Sequence, residues 1–261
     1  MRPRKRFGQN FLTDPQAARR IVAMLSPEPG ETVLEIGPGR GALTEALLTE
    51  VPSMVAVELD RDLAAFLRER FPADRLRLIE QDVLALPLAS LAGSGPIVIA
   101  GNLPYNISKP VASKLVLERA SVKRATLMFQ REVAERLTAD PGTRAYGPLT
   151  VLCGRAYRIE RVFDLGPGAF RPSPSVVSTV THWTRRDDDA LPDGLVAPLR
   201  ALLSAAFGHR RQTLRKNLRG ALPGGDSAAR DLLATAGLDG SKRAEMIAPE
   251  GFMALARAWP G

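Results

Sequence analysis

The chain has 261 residues, 45% of them hydrophobic, with a formal net charge of +8 and a pI near 10.2. That length can bury a full core and permits one large domain plus a small one. A single cysteine excludes a disulfide framework, no apolar run approaches the roughly 18 residues of a membrane span, and Met1–Phe7 lacks the apolar core of a signal peptide, so the expected compartment is the cytoplasm. The charge is uneven. Residues 1–30 hold six basic and two acidic side chains, 31–181 hold eighteen and seventeen, and 182–261 hold twelve and nine. Basic ends around a near-neutral middle suit a protein that grips a polyanion on either side of a site.

In chain order, residues 14–25 read as a lead-in helix, with Asp14 as N-cap and Pro15 at the first helical position. Thr32–Ile36 is a short β-rich run, followed by Gly37-Pro38-Gly39-Arg40-Gly41 and then helical spacing from Ala42 to Leu48. Glycines at alternate positions between strand and helix let the backbone turn tightly and approach a ligand. The next apolar run, Met54–Val57, ends at Glu58, about twenty residues past the first glycine, where nucleotide-binding α/β folds keep the carboxylate that takes ribose hydroxyls. Asp60 competes for that role, but it reads better as the cap of a helix over Arg61–Phe71.

The loop departs from the dinucleotide fingerprint: it is G-x-G-x-G, and Pro38 removes an N–H that a pyrophosphate would use. A ligand without phosphate fits better. S-adenosylmethionine, with ribose, adenine, sulfonium and amino-acid tail, suits Gly37, Gly39, Gly41 and Glu58. A third strand-like run, Leu76–Glu80, leads to Asp82, which is placed either to accept from the adenine amino group or to cap Val83-Leu84.

The run Pro96–Gly101 then ends in Asn102-Leu103-Pro104-Tyr105. An amide, a proline with no N–H and an aromatic ring at the rim of a sheet are what methylation of a base amino group needs. The Asn102 side chain and the carbonyl region of Pro104 could accept the two N–H bonds, and Tyr105 could stack on the base. Strand–helix alternation from Thr32 to about Ala139 predicts a parallel sheet covered on both faces. Arg158–Phe163 and Val176–Thr184 read as a late antiparallel pair. Residues 185–194 look like a linker, and Pro198–Phe207, Gln212–Leu222, Ala228–Ala236 and Pro249–Trp259 read as helices.

Phe7–Leu12, Glu35–Gly41, Asn102–Tyr105, Phe170-Arg171-Pro172-Ser173-Pro174, Ala206–Leu218 and Arg243-Ala244-Glu245 together resemble the ribosomal RNA adenine dimethyltransferases, most closely the bacterial KsgA (RsmA) type. The resemblance runs nearly end to end. It implies a Rossmann-like class I S-adenosylmethionine-dependent methyltransferase sheet, an α/β fold, over residues 1–186, with a basic lid at 1–13. It implies a small helical RNA-binding domain at 187–261. It further implies dimethylation at N6 of two adjacent adenosines in the 3′-terminal hairpin of small-subunit 16S rRNA. Cofactor contacts carry over to Asn10, Leu12, Gly37, Glu58, Asp82 and Asn102, and target-base contacts to Asn102, Leu103, Pro104, Tyr105 and Phe170. Phe170 would sandwich a flipped base against Tyr105, or else plug the core. Arg210, Arg211, Arg215 and Lys216 are the expected phosphate contacts, the small ribosomal subunit the expected partner, and the protein is expected to be a monomer.

The chemistry calls for no metal: His182 and His209 are the only histidines and lie far apart in sequence. Holding both N6 hydrogens would bias the nitrogen toward tetrahedral geometry and expose its lone pair to the sulfonium methyl, so positioning and electrostatics supply the rate. Three other readings stand beside this one. A large-subunit rRNA dimethyltransferase of the antibiotic-resistance type shares the motifs. An N6-adenine DNA or glutamine methyltransferase would carry Pro-Pro where this chain has Leu103-Pro104. A ribosome-assembly factor would act chiefly by binding. Cys153, inside a helix-like stretch, argues against cytosine-C5 chemistry.

Overall fold

The computed structural model describes residues 10–93, 95–187 and 190–260. Residues 1–9, most of the expected lid, lie outside the described residues, as do Asp188 and Asp189 of the expected linker.

The first strand, β1 (Phe11–Leu12), is followed by α1 (Pro15–Leu25), and Asp14 caps that helix as its sequence requires, its side chain accepting from the Gln16 N–H at 2.8 Å. The strands β2 (Thr32–Ile36), β3 (Met54–Glu58), β4 (Leu76–Glu80), β5 (Ile97–Asn102) and β6 (Val122–Gln130) are joined through α2 (Ala42–Glu50), α3 (Arg61–Arg70) and α4 (Ser108–Leu117), with only a short 3-10 turn between β4 and β5 among the described residues. With β7 (Tyr157–Leu165) and β9 (Ser178–Arg185) they form a seven-stranded sheet in the order β4-β3-β2-β5-β6-β9-β7. Pairing is parallel from β4 through β6, and β9 lies antiparallel to β6. Central strands of a covered parallel sheet are apolar throughout, and Ile97, Val98, Ile99 and Ala100 are all fully buried. A separate antiparallel pair joins β1 to β8 (Phe170–Arg171), with Leu12 opposite Phe170.

The chain crosses from β2 outward to β3 and then back to β5, so the order reverses between β2 and β5. Ligands of open α/β sheets bind beyond the carboxyl ends of the strands at such a reversal. Ile36 lies opposite Gly101 and Val57 opposite Ile36. That register sets Gly37, Glu58 and Asn102 along one edge.

The chain divides into two compact units, 1–134 with 159–185, and 135–158 with 186–261. The second unit is helical, built from α6 (Pro148–Ala156), α7 (Asp193–Ala206), α8 (Leu214–Arg219), α9 (Gly225–Thr235) and α10 (Pro249–Arg257), which follow α5 (Arg131–Leu137). The expected catalytic domain held all of 1–186 together. The structure gathers 135–158 with the C-terminal helices instead, because Tyr146 donates to the Ile247 carbonyl at 2.8 Å and its ring lies 6.3 Å from that of Phe207. Helix α7 begins five residues before the expected start at Pro198. A proline in the second turn forfeits only the N–H that would reach Gly194, so the helix passes through it. Helix α8 is shorter than the expected 212–222, being capped by Thr213 and stopped at Gly220. Among the described residues, no helix is long and apolar enough to cross a membrane.

Candidate active site

An open cavity lies at the carboxyl edge of the sheet. Asn10, Leu12, Gly37, Gly39, Glu58, Asp82, Asn102, Leu103, Pro104 and Tyr105 line it, so the structure gathers the expected cofactor and target-base residues around one space. Concave, largely preformed clefts at this place in an α/β sheet are where small ligands bind.

The first turn is shaped by what presses on it. Gly39 has φ +58, and a Cβ there would meet the Phe11 ring at 2.8 Å. Its N–H donates to Glu58 Oε2 at 3.1 Å, so the glycine loop is bonded to the carboxylate at the end of β3. Gly41 departs from its expected role. It has φ +81, and a Cβ there would strike the Phe71 ring at 2.7 Å, but it does not line the cavity. The third glycine of the pattern serves helix packing.

Glu58 is 7% exposed, and its Oε1 accepts from the Asp60 N–H at 2.9 Å. Burial pushes its pKa up, against the lowering pull of the Asp60, Gly39 and Leu59 N–H groups. Asp60, which also lines the cavity, caps α3 by accepting from the Asp62 N–H at 3.0 Å. Asp82 makes the capping bond its sequence allowed and lies at the cavity, its Oδ1 accepting from the Leu84 N–H at 2.9 Å.

Sequence reasoning missed Glu35. It lines the cavity, is 1% exposed, and its Oε2 accepts from Thr44 Oγ1 at 2.6 Å. Burial, with the nearby Glu58 charge, pushes its pKa up to about 8. The signal was present: an acid inside the apolar run Val33-Leu34-Glu35-Ile36 of a central strand has to be buried.

On the target side, the Asn102 Nδ2 donates to the backbone carbonyl of Asn10 at 2.9 Å. A carbonyl only accepts, so the amide nitrogen must face it and Oδ1 must face the other way. Tyr105 reaches across with its hydroxyl 3.3 Å from Ser178 Oγ, a contact that no sequence pattern announced. The Pro104 carbonyl, expected as an acceptor for the base, already accepts from the Ile107 N–H at 3.1 Å and from Ser108 Oγ at 3.2 Å. Both of its lone pairs are committed to starting α4.

Phe170 also departs from the expected sandwich. It is 1% exposed, packs in the core with Leu12, Ile21 and Val180, and does not line the cavity. Pairing of Leu12 with Phe170 across β1 and β8 turns its ring inward. In the second unit, Arg210, Arg211, Arg215 and Lys216 are all exposed. The Arg210 guanidinium donates to the Arg144 carbonyl, and Arg215 Nε lies 3.5 Å from Asp226. Among the described residues there is no cluster of His, Cys, Asp and Glu able to hold a metal ion.

A family model described as ribosomal RNA adenine dimethylase matches residues 1–257. Ribosomal RNA small subunit methyltransferase A of Aromatoleum aromaticum is 42% identical over 254 residues, 97% of this chain and 93% of that protein. The crystal structure of a dimethyladenosine transferase from Plasmodium falciparum superposes with a TM-score of 0.80 at 24% identity, covering 94% of this chain and 95% of that one, a likeness of fold. That of the 23S rRNA methyltransferase ErmE gives 0.71 at 25% identity, over 96% and 99%. A match that spans nearly the whole sequence, joined to this cavity and its motifs, shows that the chain belongs to the ribosomal RNA adenine dimethylase family.

Proposed function

We propose that this protein uses S-adenosylmethionine to dimethylate N6 of two adjacent adenosines in the 3′-terminal hairpin of small-subunit rRNA. The observation that carries the reading is the Asn102 amide, held by the Asn10 carbonyl so that its acceptor oxygen faces away from that carbonyl at the end of β5. Two features favour the small subunit over the large. The Aromatoleum relative that covers almost the whole chain is named for the small subunit, and its identity well exceeds that of the 23S enzyme.

The donor set fits S-adenosylmethionine. Glu58 would take the ribose hydroxyls, Asp82 the adenine amino group, Gly37 and Gly39 the close backbone approach, and Asn10 and Leu12 the near wall. When bound, this molecule supplies an electrophilic methyl on a sulfonium. The chain does the rest by position. Asn102 Oδ1 accepts one N6 hydrogen, and the Leu103 carbonyl, rather than that of Pro104, accepts the other. Tyr105 stacks on the flipped base, held by Ser178, where one aromatic face is worth about 1–3 kcal/mol. The methylated nitrogen is a strong acid and gives its proton to solvent, so no dedicated base is needed. A second transfer uses the remaining N–H in the space beside Tyr105.

Arg210, Arg211, Arg215 and Lys216 hold rRNA phosphates. Catalysis belongs to the sheet-bearing unit and RNA holding to the helical one. The protein works as a cytoplasmic monomer on the small subunit. The test is methyl incorporation into purified under-methylated small subunits, with naked rRNA and large subunits as controls. Dimethyladenosine on small subunits alone supports the reading. Methylation of large subunits points to the resistance type, and tight binding without methylation to an assembly factor.

A further inference from the structure

The turn between α7 and α8 carries Arg210 and Arg211, and one buried side chain sets its shape. Asn217, on α8, is 7% exposed. Its Nδ2 donates to the Ala206 carbonyl at 2.7 Å and to the His209 carbonyl at 3.1 Å. Its Oδ1 accepts from the His209 N–H at 3.2 Å. An amide offers two donors and one acceptor oxygen, and here both ends are spent on the backbone of a single turn. The Gln212 N–H closes the turn by donating to the His209 carbonyl at 2.9 Å, and the Arg210 guanidinium reaches the Arg144 carbonyl. Aspartate in place of Asn217 would lose both donors, and alanine would lose all three bonds.

We infer that Asn217 is a positioning residue for RNA binding: it holds the His209-Arg210-Arg211 backbone in the shape that presents both guanidinium groups to phosphate. A turn fixed before binding spares the complex the entropy of ordering it. The inference rests on the proposal that Arg210 and Arg211 contact rRNA, and the test separates the two.

Binding of under-methylated small subunits is measured for wild type, Asn217→Ala, Arg210→Gln/Arg211→Gln, and the triple variant. Asn217→Ala is expected to weaken binding about tenfold in the wild-type background and less than twofold when both arginines are gone. Affinity for S-adenosylmethionine should not change. If Arg210→Gln/Arg211→Gln binds like wild type, the RNA reading of this turn fails. If that variant binds weakly and Asn217→Ala costs the same factor in both backgrounds, Asn217 is a stability residue and the inference alone is overturned. Amide exchange on the wild-type protein covers the case in which the variants do not fold. The His209 N–H should be protected in the absence of RNA, and free exchange there would overturn the inference.

Discussion

Removing the Glu58 carboxylate isolates the chemistry assigned to the end of β3. An ionised carboxylate has about four lone-pair positions. The Gly39 and Asp60 N–H groups take two of them at 3.1 and 2.9 Å, and the Leu59 N–H bears on the carboxylate as well, so no more than two remain for the ribose hydroxyls. Hydrogen bonds to a charged acceptor contribute about 1.5–3 kcal/mol each, so Glu58→Ala removes at most about 6 kcal/mol of direct contact. Part returns, because water enters the vacated space and serves the hydroxyls, and because the alanine variant no longer carries a carboxylate whose burial already pushes its pKa up. A net loss of about 2–4 kcal/mol is expected, roughly 30- to 700-fold in S-adenosylmethionine affinity. Calorimetric titration of the folded variant measures it. The matched control is Asp60→Ala, which removes the cap of α3 and should cost about 1 kcal/mol of stability while leaving affinity within threefold. If Glu58→Ala binds as tightly as wild type, the carboxylate is not the ribose ligand. If Asp60→Ala is instead the variant that fails to bind, the two roles are exchanged.

Asn102→Ala should lower methylation of both adenosines at least 100-fold, since it removes the acceptor oxygen that the Asn10 carbonyl orients, while small-subunit binding stays within threefold; methyl incorporation and binding measured side by side decide it. Neutralising Arg210, Arg211, Arg215 and Lys216 together should reduce the slope of log affinity against log salt by about 2–3 units, fewer than four because Arg215 is shared with Asp226, and an unchanged slope would mean a merely solvated face. Glu35 has its folded pKa raised from 4.5 to about 8, so the stability it permits is fully present below about pH 4.5 and is lost as pH rises toward 8. Thermal melts should therefore show Glu35→Gln gaining on wild type across that window by up to a few kcal/mol, and a constant gap at all pH values would refute the buried, proton-holding carboxyl.

Much of the fold was legible because the informative residues act locally. Thr32–Ile36 and Met54–Glu58 form strands with the bounds their apolar runs suggested, and Asp14 and Asp60 cap the helices they precede. The cavity wall was legible too, since a strand's last residue must fall at the sheet edge once the strands are parallel. What escaped depended on contacts distant in sequence. Gly41 looks the same whether its missing side chain makes room for a ligand or for Phe71. Phe170 could turn outward to a base or inward to Leu12, and only the register of β1 against β8 decides. The Pro104 carbonyl was lost to Ser108 and Ile107, because a helix starting so soon after the motif needs acceptors of its own.

The helical unit is entered twice by the chain, and synthesis meets that fact in time. Val151, Leu152 and Cys153 on α6 are buried in the finished protein, and α6 packs on α7 and α10. Ala156 leaves the ribosome 96 positions ahead of Phe252, a fully buried residue of α10. At about 5–20 residues per second, that is an interval of roughly 5–20 s in which an apolar helix has been made and its last partner has not. The sheet can close meanwhile, since β9 follows α6 by little more than twenty residues. The unit proposed to hold RNA thus becomes whole after the sheet does, so a chain that has passed β9 but not yet α10 lacks the complete grip while already possessing the strands of the cavity.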